Sequence, residues 1–165
     1  MLKHMIILPS FFYLLSKRVK ALTSVFILLS LTACSSTDVR LNLSASADLN
    51  ANNHNEALPV IVRVYQLADV KTFRHASFDQ LWKADALILG ADLVDKTELT
   101  VKPNAKLDYE FVQADGAKYI ALFVLFRNVE ASNWRWLHKL NSGALSFDTE
   151  FDIQLLNNKI YYLDN

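Results

Sequence analysis

The sequence predicts a mainly β protein, a β-sandwich carrying one small helical insertion. Three observations lead there. About seven segments either alternate apolar and polar residues or run apolar for strand length. A single stretch, from Ser77 to Gly90, has the start and stop signals of a helix. Turn residues separate most of the rest, as at Pro103-Asn104, Asp115-Gly116 and Asn157-Asn158.

Residues 1–33 read as a lipoprotein signal peptide. Lys17, Arg18 and Lys20 precede an apolar run from Ala21 to Leu31, and Leu31-Thr32-Ala33-Cys34 follows. Small Ala33 suits the cut, and the Cys34 thiol can take a diacylglycerol thioether. An ordinary signal with a chance cysteine is the alternative. An earlier apolar run, Met5 to Leu15, is too short to span a bilayer, which takes about 20 residues. It reads as an over-long n-region or a misplaced start codon. Ser35 after the cysteine, rather than Asp, favours sorting to the outer membrane.

Cleavage before Cys34 removes 33 of the 165 residues and leaves 132, enough for one domain. The whole chain balances 17 basic against 17 acidic residues, but four of the basic ones lie in the signal. The mature chain therefore holds 13 against 17, a net of −4. That acidity argues against a nucleic-acid partner. Cys34 is the only cysteine, so no internal disulfide can form and the fold must rest on its core.

After a short polar tether at residues 34–38, the domain is expected over 39–165. Val39–Ala45 alternates strictly, the mark of a half-buried strand. Ser46–Leu58 is Asn-rich and aperiodic, a long loop that is either functional or a disordered connection. Val60–Leu67 is the clearest strand, with Val60, Val62 and Val64 on one face and Ile61, Arg63, Tyr65 and Leu67 on the other. Asp69–His75 reads as a connection. Ser77 and Gln80 form a capping box for a helix, or two short helical turns, over Phe78–Leu89, and Gly90 supplies the stop.

Glu98–Lys102 and Lys106–Val112 flank a turn. Asp115-Gly116 predicts a two-residue hairpin joining Leu107–Gln113 to Lys118–Arg127. Tyr119–Phe126 is continuously apolar, so it is expected at the centre of a sheet. Ala131–Leu140 fits a short helix presenting Trp134, Leu137 and Leu140 together. On such a helix Trp134 and Trp136 cannot both face inward, which makes one of them a surface candidate. Ser146–Leu155 alternates again and Lys159–Leu163 closes the chain.

Catalytic equipment is sparse, and no enzyme activity is expected. The three glycines of the mature chain are isolated, and His54, His75 and His138 lack ligand spacing, so no metal or cofactor is expected beyond lipid on Cys34. Asp108 and Glu110, two apart on a strand, read as a solvated face rather than an acid–base pair. Asp92 and Asp95 are the other pair that could act so. Trp82, Trp134 and Trp136 could form a sugar platform or pack the core. Arg127 and Arg135 are expected in ion pairs.

Four pieces behind the lipobox sharpen this picture: Val62-Arg63-Val64-Tyr65-Gln66-Leu67, Gly90-Ala91-Asp92-Leu93, Phe126-Arg127 and Trp134-Arg135. Their order and spacing resemble the outer-membrane lipoprotein of type VI secretion systems, the TssJ (VasD/Lip) family. The resemblance departs at Asn128 and at Asn104-Ala105, both turn or surface positions. It implies a two-sheet, transthyretin-like β-sandwich and a non-enzymatic anchor, lipidated at Cys34 and facing the periplasm from the outer membrane. The implied partner is the periplasmic C-terminal region of a TssM-type inner-membrane protein, bound by several copies in a larger complex. The implied contact is the loop after the first strand, which makes Asn50, Asn52, Asn53, His54 and Asn55 candidates. A lipoprotein binding peptidoglycan or another envelope ligand is the alternative.

Overall fold

The computed structural model describes residues 37–130, 132–141 and 148–163. Two four-stranded sheets pack face to face. Sheet I has the order β4-β1-β7-β8 and sheet II the order β3-β2-β5-β6. The strands are β1 (Asp38–Ala45), β2 (Val60–Leu67), β3 (Leu93–Val101), β4 (Lys106–Val112), β5 (Tyr119–Val124), β6 (Arg135–Lys139), β7 (Thr149–Leu156) and β8 (Lys159–Leu163). Two helices, α1 (Lys71–His75) and α2 (Phe78–Leu89), connect β2 to β3.

Sheet I has one wet face. Val39, Leu41 and Leu43 of β1, with Phe151, Ile153 and Leu155 of β7, point into the core between the sheets. Arg40, Asn42, Glu150 and Asp152 alternate with them on the outside. Strands β1 and β7 pair in parallel, and β1 also pairs antiparallel with β4. Asp108 and Glu110 lie exposed on this outer face, where Glu110 meets Arg40 at 3.2 Å.

Strand β5 of sheet II is buried on both faces. Ile120, Leu122 and Val124 join the inter-sheet core, while Ala121 and Phe123 join a second core under the helices. A strand apolar throughout fits only such a central position, between β2 and β6. On β2, Val60, Val62 and Val64 face sheet I, whereas Tyr65 and Leu67 face the helices.

The helix start follows from local chemistry. Ser77 Oγ accepts from the Gln80 amide at 3.2 Å, and Gln80 Oε1 accepts from the Ser77 amide at 2.9 Å. The reciprocal pair satisfies two amides that the first turn leaves without partners. Ser77→Ala should therefore destabilise the domain by about 1 kcal/mol. Urea unfolding checks this, and an unchanged midpoint would mean that tertiary packing alone sets the helix start. At the other end Gly90 takes φ +50° and ψ −123°, a conformation open to glycine but strained for other residues. Inside α2, Ala84 is non-helical (φ −152°, ψ 39°), so the segment is two helical pieces joined at a kink.

Three expectations need correction. Asp69–His75 is not a plain connection: it contains α1, whose Lys71 amide donates to Asp69 Oδ1 at 2.8 Å. Asp115-Gly116 does not close a hairpin. The turn carries the chain from β4 in sheet I to β5 in sheet II, with the Gln66 side chain donating to the Val112 carbonyl and accepting from the Ala114 amide. Ala131–Leu140 is not a helix. Its described part contains strand β6, which pairs with β5 from Tyr119↔Lys139 to Phe123↔Arg135. Strand Leu93–Val101 is also longer than the expected Glu98–Lys102. Residue 131, and Ser146 and Phe147 of the expected last alternation, lie outside the described residues.

Candidate functional site

The strand directions sort the loops into two ends. Because β1 starts at Asp38 beside Val112 and Thr149-paired Val39, the polypeptide enters the domain at the end that also holds the turn after β4. The far end gathers the loops after β1, β3, β5 and β7. Backbone hydrogen bonds tie these together: Asn104 N–H to Ser46 O at 3.2 Å, Ser46 N–H to Leu155 O at 3.0 Å, and Asn50 N–H to Asn157 O at 2.7 Å. The four non-glycine residues with positive φ among the described residues, Asn50, Asn55, Asn104 and Asn157, all lie in these far-end loops. Asparagine enters the left-handed region more readily than other side chains do, which explains the choice.

The loop over 46–59 is built, not a disordered connection. Leu49 is fully buried in the inter-sheet core. Asn50 is 5% exposed, and both ends of its amide are used: Oδ1 accepts from the Arg127 amide at 2.8 Å and Nδ2 donates to Pro59 O at 3.1 Å. Asn52 organises the tip. Its Oδ1 accepts from the His54 and Glu56 amides, and its Nδ2 donates to Glu56 Oε2 at 2.7 Å. Of the candidates, then, Asn50 and Asn52 shape the loop, while Asn53, His54 and Asn55 are exposed on it. Cys34 lies outside the described residues.

Both candidate tryptophans are half-buried, on opposite faces of sheet II, so neither is the bare surface residue that a helix required. Trp136 meets Phe151 at 5.2 Å and Tyr162 at 5.4 Å between the sheets. Trp134 meets Phe78 and Phe123, each at 5.5 Å, under α2. Arg135 forms no carboxylate pair among the described residues. Its guanidinium lies 4.5 Å over Trp134 and donates to the carbonyls of Phe73, Arg74 and Ala76, which the end of α1 leaves open. Arg127 contributes its backbone amide to Asn50. Asp92 accepts from Thr72 Oγ1 at 2.6 Å and Asp95 from Gln66 at 3.3 Å. Among the described residues no cluster of three or more histidines, cysteines or carboxylates could hold a metal.

One polar cluster was not singled out from the sequence. Arg63, on the helix face of β2, donates through Nε to Glu98 at 2.6 Å and through Nη1 to the carbonyls of Leu81 and Trp82. Nη1 also lies 3.2 Å from Asp85 Oδ2. The kink at Ala84 interrupts the helical ladder, and the guanidinium serves two carbonyls of the turn before it. Asp85 accepts from Tyr65 Oη at 2.9 Å, from the Ala86 amide at 2.7 Å and from Lys96 at 3.2 Å.

Burial alone would raise the Asp85 carboxyl. Hydrogen bonds from Tyr65, Ala86 and Lys96, with the Arg63 charge, outweigh it and hold the carboxyl below the usual aspartate range. Burial likewise opposes the Arg63 cation, but Glu98, Tyr65 and Asp85 keep its pKa raised. The Tyr65 phenol is pushed up by burial first and then by Asp85. At neutral pH the cluster is a charged bolt between α2 and sheet II.

The residues that carried the resemblance thus fall mainly on the attachment of the helices: Arg63 and Tyr65 under α2, Asp92 on α1, and Trp134-Arg135 across both. The solved structures agree on the fold. Serratia marcescens Lip, a membrane-bound component of the type VI secretion system, superposes with a TM-score of 0.73 at 20% identity, covering 79% of this chain and 99% of Lip. The lipoprotein TssJ1 of Pseudomonas aeruginosa gives 0.73 at 23% identity, over 79% and 98%. A chain from a structure described as the type VI membrane complex gives 0.68 at 24%, over 79% and 100%. No curated protein matches the sequence significantly. The family model of the type VI secretion lipoproteins (VasD, EvfM, TssJ) matches residues 37–158, and with the two-sheet fold this places the chain in that family.

Proposed function

We propose that the protein anchors the type VI secretion membrane complex to the outer membrane. Cys34 carries the lipid, and the far-end loops engage the periplasmic C-terminal region of a TssM-type inner-membrane protein. The observation that carries this reading is polarity: the described chain enters one end of the sandwich at Thr37 and the loop cluster occupies the other. The Gln113 amide donates to Thr37 O at 2.9 Å, so the fold holds the chain from Thr37 onward. Three peptide units from Cys34 to Thr37 reach at most about 11 Å. Strand β1 adds roughly 25 Å at about 3.3 Å per residue. The loops therefore stand within roughly 35 Å of the membrane face, too close to cross a periplasm, and the partner must do the reaching. Two solved chains support the partner. One comes from the type VI membrane complex, and the other from a structure described as the TssM C-terminal domain from EAEC, at 22% identity and a TM-score of 0.66.

The test is co-purification from detergent-solubilised envelopes, with Asn53 and His54 replaced by alanine and Asn55, which takes φ +61°, by glycine. These side chains are exposed, so the substitution leaves the loop's own hydrogen bonds to Asn50 and Asn52 in place. The expected result is recovery of the TssM-type protein with the natural chain and at least a tenfold drop with the variant. Retention on isolated peptidoglycan, with no TssM-type protein recovered, would favour the wall-binding alternative.

A further inference from the structure

One aromatic side chain of α2, Trp82, stands largely outside the core, on the far-end side of the helical layer. Trp82 is 51% exposed, although the same helix buries Leu81, Asp85 and Leu89. Ile61, the second residue of β2, is 40% exposed just two positions beyond the loop's last residue, Pro59. Phe78 links Trp82, at 6.4 Å between ring centroids, to Trp134, at 5.5 Å. The Leu125 amide donates to Ile61 O at 2.9 Å, which brings the segment leading into Arg127 alongside. The patch therefore continues the surface of the far-end loops onto the helical layer.

Charge decides what covers it. Arg74 and Arg127 are exposed, and neither has a carboxylate within salt-bridge distance among the described residues. Lys83 lies 5.7 Å over the Trp82 ring and pairs with Asp79. Arg127 follows the segment bonded to Ile61, so an unpaired cation adjoins the patch on a mature chain whose net charge is −4. Tryptophan and arginine dominate protein-binding hot spots, and exposed cations steer acidic partners. Because the patch adjoins the end away from Thr37, it does not face the membrane that a lipid on Cys34 would enter.

We propose that exposed Ile61 and Trp82, with Arg127 beyond the segment bonded to Ile61, form a second contact for the same TssM-type partner. The contact engages an apolar surface bordered by carboxylates. It rests on the anchoring reading above. The test uses the full-length lipoprotein in detergent and the immobilised periplasmic region of the TssM-type protein from the same organism. Trp82→Ala should weaken binding at least tenfold and Trp82→Phe by less. Arg127→Glu, an exposed position whose backbone alone serves the fold, should weaken binding and flatten its salt dependence even if Trp82→Ala disturbs α2. Changes of less than twofold in both Trp82→Ala and Arg127→Glu, beside a loss with the Asn53–Asn55 variant, would overturn the patch and leave the anchor standing. No binding by the natural chain would overturn both. Loss of binding to vesicles of phosphatidylcholine and phosphatidylglycerol, without loss of partner binding, would make the patch a membrane face and also overturn it.

Discussion

Replacing Arg63 with alanine is expected to destabilise the domain by about 3–5 kcal/mol, the cost of breaking one side of a buried ion pair. The side chains of Arg63 and Asp85 are 14% and 10% exposed, so solvent screens them little. Losing the guanidinium leaves Asp85 with Tyr65, the Ala86 amide and Lys96 as partners. It also strands the Leu81 and Trp82 carbonyls at the kink. Asp85→Asn should cost less, because an amide still accepts from Tyr65. The two variants differ in pH response, which identifies the mechanism. In the natural chain the folded Asp85 carboxyl lies below its ordinary value of about 3.8, so the unfolded chain binds the proton first. That stabilisation is complete well above pH 4 and is lost as the pH falls through 4 toward the lower folded value. Asp85→Asn should flatten the stability profile below pH 4, as read by chemical denaturation between pH 2.5 and 7. An unchanged acid slope would show that Asp85 is not the carboxylate responsible.

That cluster also marks how far sequence reasoning reaches. Signals that act within four residues were legible: the Ser77–Gln80 capping box, the stop at Gly90, and the alternation of β1 and β2. The partition of β2 into a valine face and an Arg63–Tyr65 face was legible too. What covers the second face was not, because Arg63 and Asp85 lie 22 positions apart and meet only when α2 folds back. The Asp115-Gly116 error has a related cause. Turn residues encode a reversal, but the sheet that each flanking strand joins depends on distant pairing, here β4 with β1 and β5 with β2. Trp134 to Leu140 satisfies a helical period through Trp134 and Leu137 and a strand period through Trp136 and His138. Pairing with β5 chooses the strand. At the loop, the Asn-rich composition was visible, but it did not separate the asparagines that build the loop from those displayed on it.

Asn50 is the sharpest case of that distinction, and Asn50→Ala should disturb the whole far end. Three contributions add. The Arg127 amide and the Pro59 carbonyl each lose a partner in a nearly closed site, about 1 kcal/mol or more apiece. Alanine at φ +50° then costs about 1–2 kcal/mol that asparagine largely avoids. The expected total is about 3–4 kcal/mol, measured by urea unfolding. Asn50→Gly separates the causes: glycine accepts the positive φ, so it should recover about 1 kcal/mol while still losing both side-chain bonds. Hydrogen exchange reads the local event directly. The Arg127 amide should exchange slowly in the natural chain and at least tenfold faster in both variants, whereas amides of β5 keep their protection. Partner binding should fall in both as well, because Asn50 fixes the loop that carries Asn53, His54 and Asn55 without itself being exposed to a partner. A variant that binds normally while its Arg127 amide exchanges fast would show that the docking surface forms independently of this bond. Undiminished Arg127 protection would remove Asn50 from its place at the centre of the loop cluster.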